Sequence, residues 1–345
     1  MMTRRRARCR RLLLGVAAIG AACGLLVGGR AAVAAPALIP LRLAFGAPIV
    51  QALPLWAAYE GGFLKRSGFE PAAPVRLAGP EATAALVGGH VDLIATGGFS
   101  TALAAGSGAA VRMVAAATRY APFVIYTRDP VASPAQLKGL TVGTTGPASE
   151  PHIEFQLYLK RMGIDPKDMA FIKVGLEAET LAAMLSGAVQ VGLFHWPVAE
   201  QAQAAGLHML ADLSALHIPW ILTGFDVPQA MLDEHPDRVR KIAEALVTAT
   251  ACARTQPAFA ESVIAKYTKI GDAESLRRGA GEFRAAVPPD LTASPEAVRN
   301  IVAEAAARHT GLNVSAAAQF YAPQVLAELR ANGFMRRAAD CRSGP

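Results

Sequence analysis

Ala84-Ala85-Leu86-Val87-Gly88-Gly89-His90-Val91-Asp92-Leu93-Ile94-Ala95-Thr96-Gly97-Gly98-Phe99 is the stretch that decides the fold class. Alanine and leucine favour a helix through Val87, and the glycine pair stops it. Val91 to Ala95 is an apolar run of strand length, and Gly97-Gly98 turns the chain into a second helix over Phe99 to Ala105. Helix, stop, strand, glycine turn, helix is the pattern of an α/β sheet with covered faces. The pattern recurs. Ala182-Ala183-Met184-Leu185-Ser186-Gly187-Ala188-Val189-Gln190-Val191 echoes Ala84 to Leu93, and Lys160-Arg161-Met162-Gly163-Ile164-Asp165-Pro166 echoes Lys65-Arg66-Ser67-Gly68-Phe69-Glu70-Pro71. Two matches in the same order predict two similar lobes.

Working outward, Leu41 to Phe45, Pro74 to Leu77 and Val111 to Ala117 read as further strands of the first lobe, with a helix over Leu53 to Tyr59. The second lobe takes strands at Phe123–Tyr126, Leu140–Gly143, Met169–Val174 and Val189–Phe194. Its helices are Glu154–Met162, Glu177–Leu185 and Val198–Ala205, and Trp220 to Gly224 reads as a strand returning from it. From Asp237 the chain turns helical, over Val239–Ala253, Gln256–Tyr267, Asp272–Phe283, Ser294–Arg308 and Ser315–Ala331. Ser294 precedes Pro295 as a cap residue precedes a first-turn proline. Residues 336–345 read as a polar, flexible tail.

The 345 residues carry a formal charge of +7, with 34 Lys and Arg against 27 Asp and Glu. Seven arginines and no acid fall within residues 1–35, so the remainder is balanced. A nucleic-acid binder keeps its positive field on the folded domain, and this chain does not. Residues 1–35 instead read as a secretory signal peptide: a basic start, an uncharged run from Leu12 to Gly29, and the small residues Ala32-Val33-Ala34-Ala35 suited to cleavage. Arg10-Arg11 before Leu12-Leu13-Leu14 leaves a twin-arginine route open, and Gly20-Ala21-Ala22-Cys23 is a faint lipoprotein box. Cys252 and Cys341, the cysteines beyond the leader, are too far apart in sequence to suggest a disulfide framework. No cysteine–histidine spacing suggests a metal or cofactor.

The ordered set of motifs resembles one family. Leu53-Pro54-Leu55-Trp56-Ala57-Ala58-Tyr59-Glu60-Gly61-Gly62-Phe63-Leu64, Gly89-His90-Val91-Asp92-Leu93, Leu137-Lys138-Gly139-Leu140-Thr141-Val142-Gly143 and His195-Trp196-Pro197 resemble, in turn, its first helix, its G-x-V-D segment, the opening of its second lobe and its Trp-Glu-Pro element. The family is that of periplasmic substrate-binding proteins of ABC importers in the nitrate/taurine/alkanesulfonate (SsuA-like) class, which also holds binders of thiamine-pyrimidine precursors. The chain departs from it at His195-Trp196-Pro197, which lacks the acid. The resemblance implies a type II periplasmic-binding-protein-like α/β fold, with lobe one at 40–119 plus 224–335 and lobe two at 120–223. It also implies crossings at 118–122 and 220–224, a hinged cleft for a small-molecule ligand, and a periplasmic monomer. Its partners would be the subunits of a membrane permease driven by a cytoplasmic ATPase.

In such sheets ligands sit beyond the carboxyl ends of strands, where helix amino termini expose N–H groups. The candidate ligand-binding residues are therefore Ala47, Pro48 and Gln51 after the first strand, and Gly97, Gly98, Phe99 and Ser100 after the third. Thr144, Thr145 and Ser149 open the second lobe, and His195 and Trp196 end its last parallel strand. Arg119, in the first crossing, is the one arginine placed to clamp an anion, and that scarcity favours a neutral or aromatic organic solute at least as well as nitrate or a sulfonate. An enzyme of the same fold, a lyase or pyrimidine-precursor type acting on a small acid, is the alternative. No catalytic histidine cluster, nucleophile elbow or phosphate loop supports it. A transcriptional effector domain would need a helix-turn-helix where the leader stands.

Overall fold

The computed structural model describes residues 37–341 apart from Ala78 and Ala148. The predicted leader and the last four residues of the tail lie outside that range. The strands are β1 (Ile39–Leu41), β2 (Leu43–Phe45), β3 (Phe69–Pro71), β4 (Val75–Arg76), β5 (Leu93–Thr96), β6 (Val111–Ala116), β7 (Val124–Thr127), β8 (Thr141–Thr144), β9 (Ala170–Lys173), β10 (Val191–Phe194), β11 (His208–Asp212) and β12 (Gly224–Pro228). Among the described residues they form two five-stranded sheets, ordered β4-β2-β5-β12-β6 and β11-β7-β10-β8-β9, and a small parallel pair of β1 with β3.

The two sheets share one plan. In each, the first strand of the lobe is flanked by the second and third in parallel, and a strand arriving from the other lobe lies antiparallel beside the third. That visiting strand is β12 in the first sheet and β7 in the second. The echo in the sequence is thus an echo of topology. Every residue of β2, β5 and β10 is buried, as continuous apolar runs are in sheets covered by helices on both faces. The helix Glu177–Ser186 ends on Gly187 at φ 84°, a left-handed conformation that costs glycine little.

The segments joining the lobes lie against one another. Tyr120 pairs with Pro219 in an antiparallel bridge, the Ala121 N–H donates to the Ile218 carbonyl (2.9 Å), and the Trp220 N–H donates to the Arg119 carbonyl (3.1 Å). The Thr118 hydroxyl accepts the backbone N–H of Leu222 at 2.7 Å. The segment read as a strand at Trp220 to Gly224 is therefore mostly hinge, and the strand begins at Gly224. The helical run expected over Ser315–Ala331 is broken into Val314–Ala318 and Gln324–Ala331 around Pro323. The edge strand β11 has only three apolar residues, Met209-Leu210-Ala211, between polar ends, and none of its residues is fully buried, so it carries a weak strand signal.

The reading of the cysteines and of the tail is corrected here. Cys252 and Cys341 form a disulfide with Cα atoms 4.8 Å apart, and Phe334–Ala338 is a helix packed beside the long helix Pro236–Thr255. Folding, not spacing, brings the two cysteines together. The bond closes a loop spanning a sequence separation of 89, so Cys341→Ser is expected to lower stability by about 2–4 kcal/mol. Thermal unfolding with and without reductant checks this: reductant should destabilise the native protein and leave the variant unchanged.

Candidate functional site

The carboxyl ends of β2, β5, β8 and β10 all meet at the seam between the lobes. The helix Gly98–Gly106 begins directly after β5, with Gly97 as its extended cap residue. The Gly98 N–H donates to the Ile221 carbonyl of the second crossing (2.9 Å). The buried Phe99 ring stacks on Trp220 at 6.5 Å. Ser100 is half-buried beside Gly79. After β2, Ala47 and Pro48 are half-buried, and Gln51 is buried in the short turn Val50–Ala52 with its Oε1 unpartnered.

On lobe two, Thr144 is buried and its hydroxyl donates to the Ile172 carbonyl at 3.4 Å. Thr145 is half-buried. The Ser149 hydroxyl donates to the Gly146 carbonyl (2.7 Å) instead of capping the following helix. That helix, Glu150–Arg161, starts four residues before the sequence suggests. His195 is buried at the end of β10, where both oxygens of Glu177 accept from it, Oε2 from the backbone N–H at 2.7 Å and Oε1 from Nδ1 at 2.8 Å. Its ring lies 3.7 Å from that of Phe123, and Nε2 has no partner. Trp196, joined to Pro197 by a cis bond, crosses to lobe one and packs on Gly279 of the helix Ala273–Ala286. Arg119 stands apart from these groups: it is exposed and pairs with Asp290 (3.0 Å), which also takes Arg330 (2.7 Å).

Sequence reasoning passed over the acids. Glu150 reaches from lobe two into the glycine turn of lobe one. Its Oε2 accepts the Trp220 indole N–H (2.7 Å), and its enclosed Oε1 lies where a side chain on Gly97 would be. Burial pushes the Glu150 carboxyl up to about 8, against the opposing pull of Trp220 and of the Phe99 N–H. One helical turn on, Glu154 is fully buried with both oxygens unpartnered. Burial, reinforced by the neighbouring Glu150, holds its carboxyl well above the usual range. Beneath the start of the helix Gly98–Gly106, Asp226 of β12 accepts the Thr101 hydroxyl at 2.7 Å, and burial raises it to about 8. Two carboxylates four residues apart just after a strand end were visible in the sequence, but that spacing more often marks a solvated helix face.

Ion pairs flank the seam. Lys160 and Arg308 meet Glu304 at 3.1 and 2.5 Å on one side, and Arg278 meets Glu200 at 3.0 Å on the other. A concavity of about 530 Å³ lined by Arg112, Gln229, Asp233, Arg240 and Tyr321 opens at the amino end of β6, the wrong end of the sheet for this site. Among the described residues no cluster of three or more His, Cys, Asp or Glu is placed to hold a metal.

Two lobes of one topology, each built on a parallel sheet with a visiting antiparallel strand and joined by paired crossings, define the type II periplasmic-binding-protein-like fold. The chain belongs to the NMT1/THI5-like family, whose model matches residues 50–260. Among solved structures it is similar to a protein of Bordetella bronchiseptica RB50, with 22% identity, 87% of this chain and 96% of that one covered, and a TM-score of 0.69. It is similar to the periplasmic aliphatic sulphonate binding protein SsuA of Escherichia coli (17%, 82% and 92%, 0.66). It is also similar to the periplasmic nitrate-binding protein NrtA of Synechocystis PCC 6803 (16%, 89% and 90%, 0.65). At these identities the likeness is one of fold. No curated protein matches the sequence.

Proposed function

We propose that this protein is the extracytoplasmic solute-binding component of an ABC importer, which captures a small organic solute between its lobes and delivers it to a membrane permease. The observation that carries this reading is the set of polar atoms left without partners at facing strand ends: Gln51 Oε1, Thr96 Oγ1, Glu150 Oε1, both oxygens of Glu154 and His195 Nε2. Buried polar groups are ordinarily satisfied, and a solute enclosed by both lobes would satisfy these. The paired crossings would act as the hinge, and the visiting strands β7 and β12 would couple each lobe to its motion. Residues 1–35 would direct the chain to the periplasm, where an oxidising environment suits the Cys252–Cys341 bond. Loaded and empty forms would be told apart by the permease through the closed population.

Mass spectrometry of small molecules released from the purified native protein tests this directly. A bound solute is expected, and adding it back at a hundredfold excess over Kd should raise stability by about 2.7 kcal/mol. A protein that carries nothing, and that no small molecule stabilises, would not be a solute binder.

A further inference from the structure

An anionic solute in this fold would use the backbone N–H groups at the amino end of a helix following a strand. At the start of Gly98–Gly106 that place is taken by the protein itself. The Gly98 N–H is bonded to Ile221, and the Phe99 N–H faces the Glu150 carboxyl, which fills the space over Gly97. The unpartnered atoms around it are mostly acceptors, with the Trp196 indole N–H a donor among them. Glu150 Oε1, Glu154 Oε1 and Oε2, Thr96 Oγ1 and Gln51 Oε1 can all accept, and beside them stands the unpartnered Nε2 of His195, whose Nδ1 is held by Glu177. Glu154 and His195 are joined through Phe123, whose backbone N–H faces Glu154 and whose ring lies on His195. Glu154, His195, Gln51 and Thr96 are each more than nine-tenths buried. Arg119, the cation nearest the hinge, is already paired with Asp290.

We propose that the cleft selects its solute by N–H donors, taking a small organic cation with an ammonium or amidinium group that meets Glu150 and Glu154, and that it rejects nitrate- and sulfonate-type anions. The selection rests on the solute-binding reading above. A singly charged cation replaces one of the two protons that otherwise neutralise the buried pair. Binding then leaves the carboxylate charge balanced by the solute and releases a proton to solvent. Charge-assisted N–H···O bonds in an enclosed site are stronger than neutral ones, and an anion there would face two acids while the cations at the seam, Lys160, Arg308 and Arg278, are already paired with Glu304 and Glu200.

The test uses thermal shift and calorimetry with benzamidine, agmatine and histamine as cations and with nitrate and ethanesulfonate as anions, beside mass spectrometry of the molecule the native protein carries. At least one cation should stabilise the protein and release protons on binding, measured in buffers of different ionisation enthalpy. Glu154→Gln and Glu150→Gln should each weaken that cation about 10- to 100-fold. The glutamine variants preserve side-chain shape, and thermal unfolding confirms that each remains folded. A carried or stabilising nitrate or sulfonate overturns the selection while leaving the solute-binding reading intact. So does stabilisation by none of the cations when the native protein carries a solute without N–H donors. If no probe binds and nothing is carried, both readings fall.

Discussion

Gly279→Leu should hold the lobes apart and weaken solute binding by about 100-fold without unfolding the protein. Trp196 leaves β10 in lobe two and lies against Gly279 in lobe one, where an added Cβ would come within 2.7 and 2.8 Å of Cζ3 and Cζ2 of the indole. The indole is a rigid ring with 9% of its surface exposed, and it joins the same apolar cluster as Trp56, Phe283 and Leu291. The opposite wall is also firm, because Ala280 and Phe283 anchor the helix that carries Gly279. A leucine there must displace the ring, and the ring must carry the end of β10 with it. The helix itself gains from the loss of a mid-helix glycine, which offsets part of the overpacking against the indole, so the variant should remain folded without solute. A hundredfold loss of affinity corresponds to a closure penalty of about 2.7 kcal/mol. Small-angle scattering gives the decisive reading: the native protein should compact when solute is added and the variant should not. Compaction of the variant with unchanged affinity would remove Trp196 from any part in closure.

Replacing Asp226 by asparagine should stabilise the protein at alkaline pH and have little effect in acid. Asp226 has no exposed surface, one oxygen bonded to Thr101 and the other unpartnered. Burial raises its carboxyl from the ordinary 3.8 to about 8. The sign follows from linkage. In the unfolded chain the group ionises near 4, whereas in the folded protein it keeps its proton to about 8. Its favourable contribution is therefore fully present below about pH 4 and is lost as pH rises through about 8. Holding one proton through roughly four pH units is worth on the order of 6 kcal/mol. Glu150, raised to about 8 by burial, acts in the same direction and window. Urea midpoints from pH 4 to 9 should fall for the native protein and fall less for Asp226→Asn, with the two curves meeting at the acid end. Parallel curves would mean that Asp226 is ionised in the folded state.

Much of the lobe plan was legible before folding because it is written in local terms. Glycine pairs stop helices, short apolar runs make covered strands, and the echo of Ala84–Leu93 in Ala182–Val191 became two sheets with one strand order. The returning strand was misplaced by a few residues for a physical reason. Trp220 to Thr223 looks like a strand, but its backbone is used to pair the crossings. Gly224-Phe225-Asp226-Val227-Pro228, with an acid between a glycine and a proline, becomes the strand because the slot between β5 and β6 accepts it. The candidate site was legible only in part. Gly97, Phe99, His195 and Trp196 were found as strand ends, while Glu150, Glu154, Glu177 and Gly279 were not, since nothing in their spacing separates them from ordinary helix residues.

The sequence alone determined the α/β class, the pair of similar lobes and the glycine-rich strand ends, together with a charge excess confined to residues 1–35. Those depend on contacts within a few residues or on simple counting. Only the tertiary structure decided that Cys252 meets Cys341, that Trp196 belongs to the far lobe's core, and that three carboxyls lose their water. Desolvation and long-range pairing arise where distant segments meet, and a carboxylate in sequence carries no mark of whether water will remain beside it.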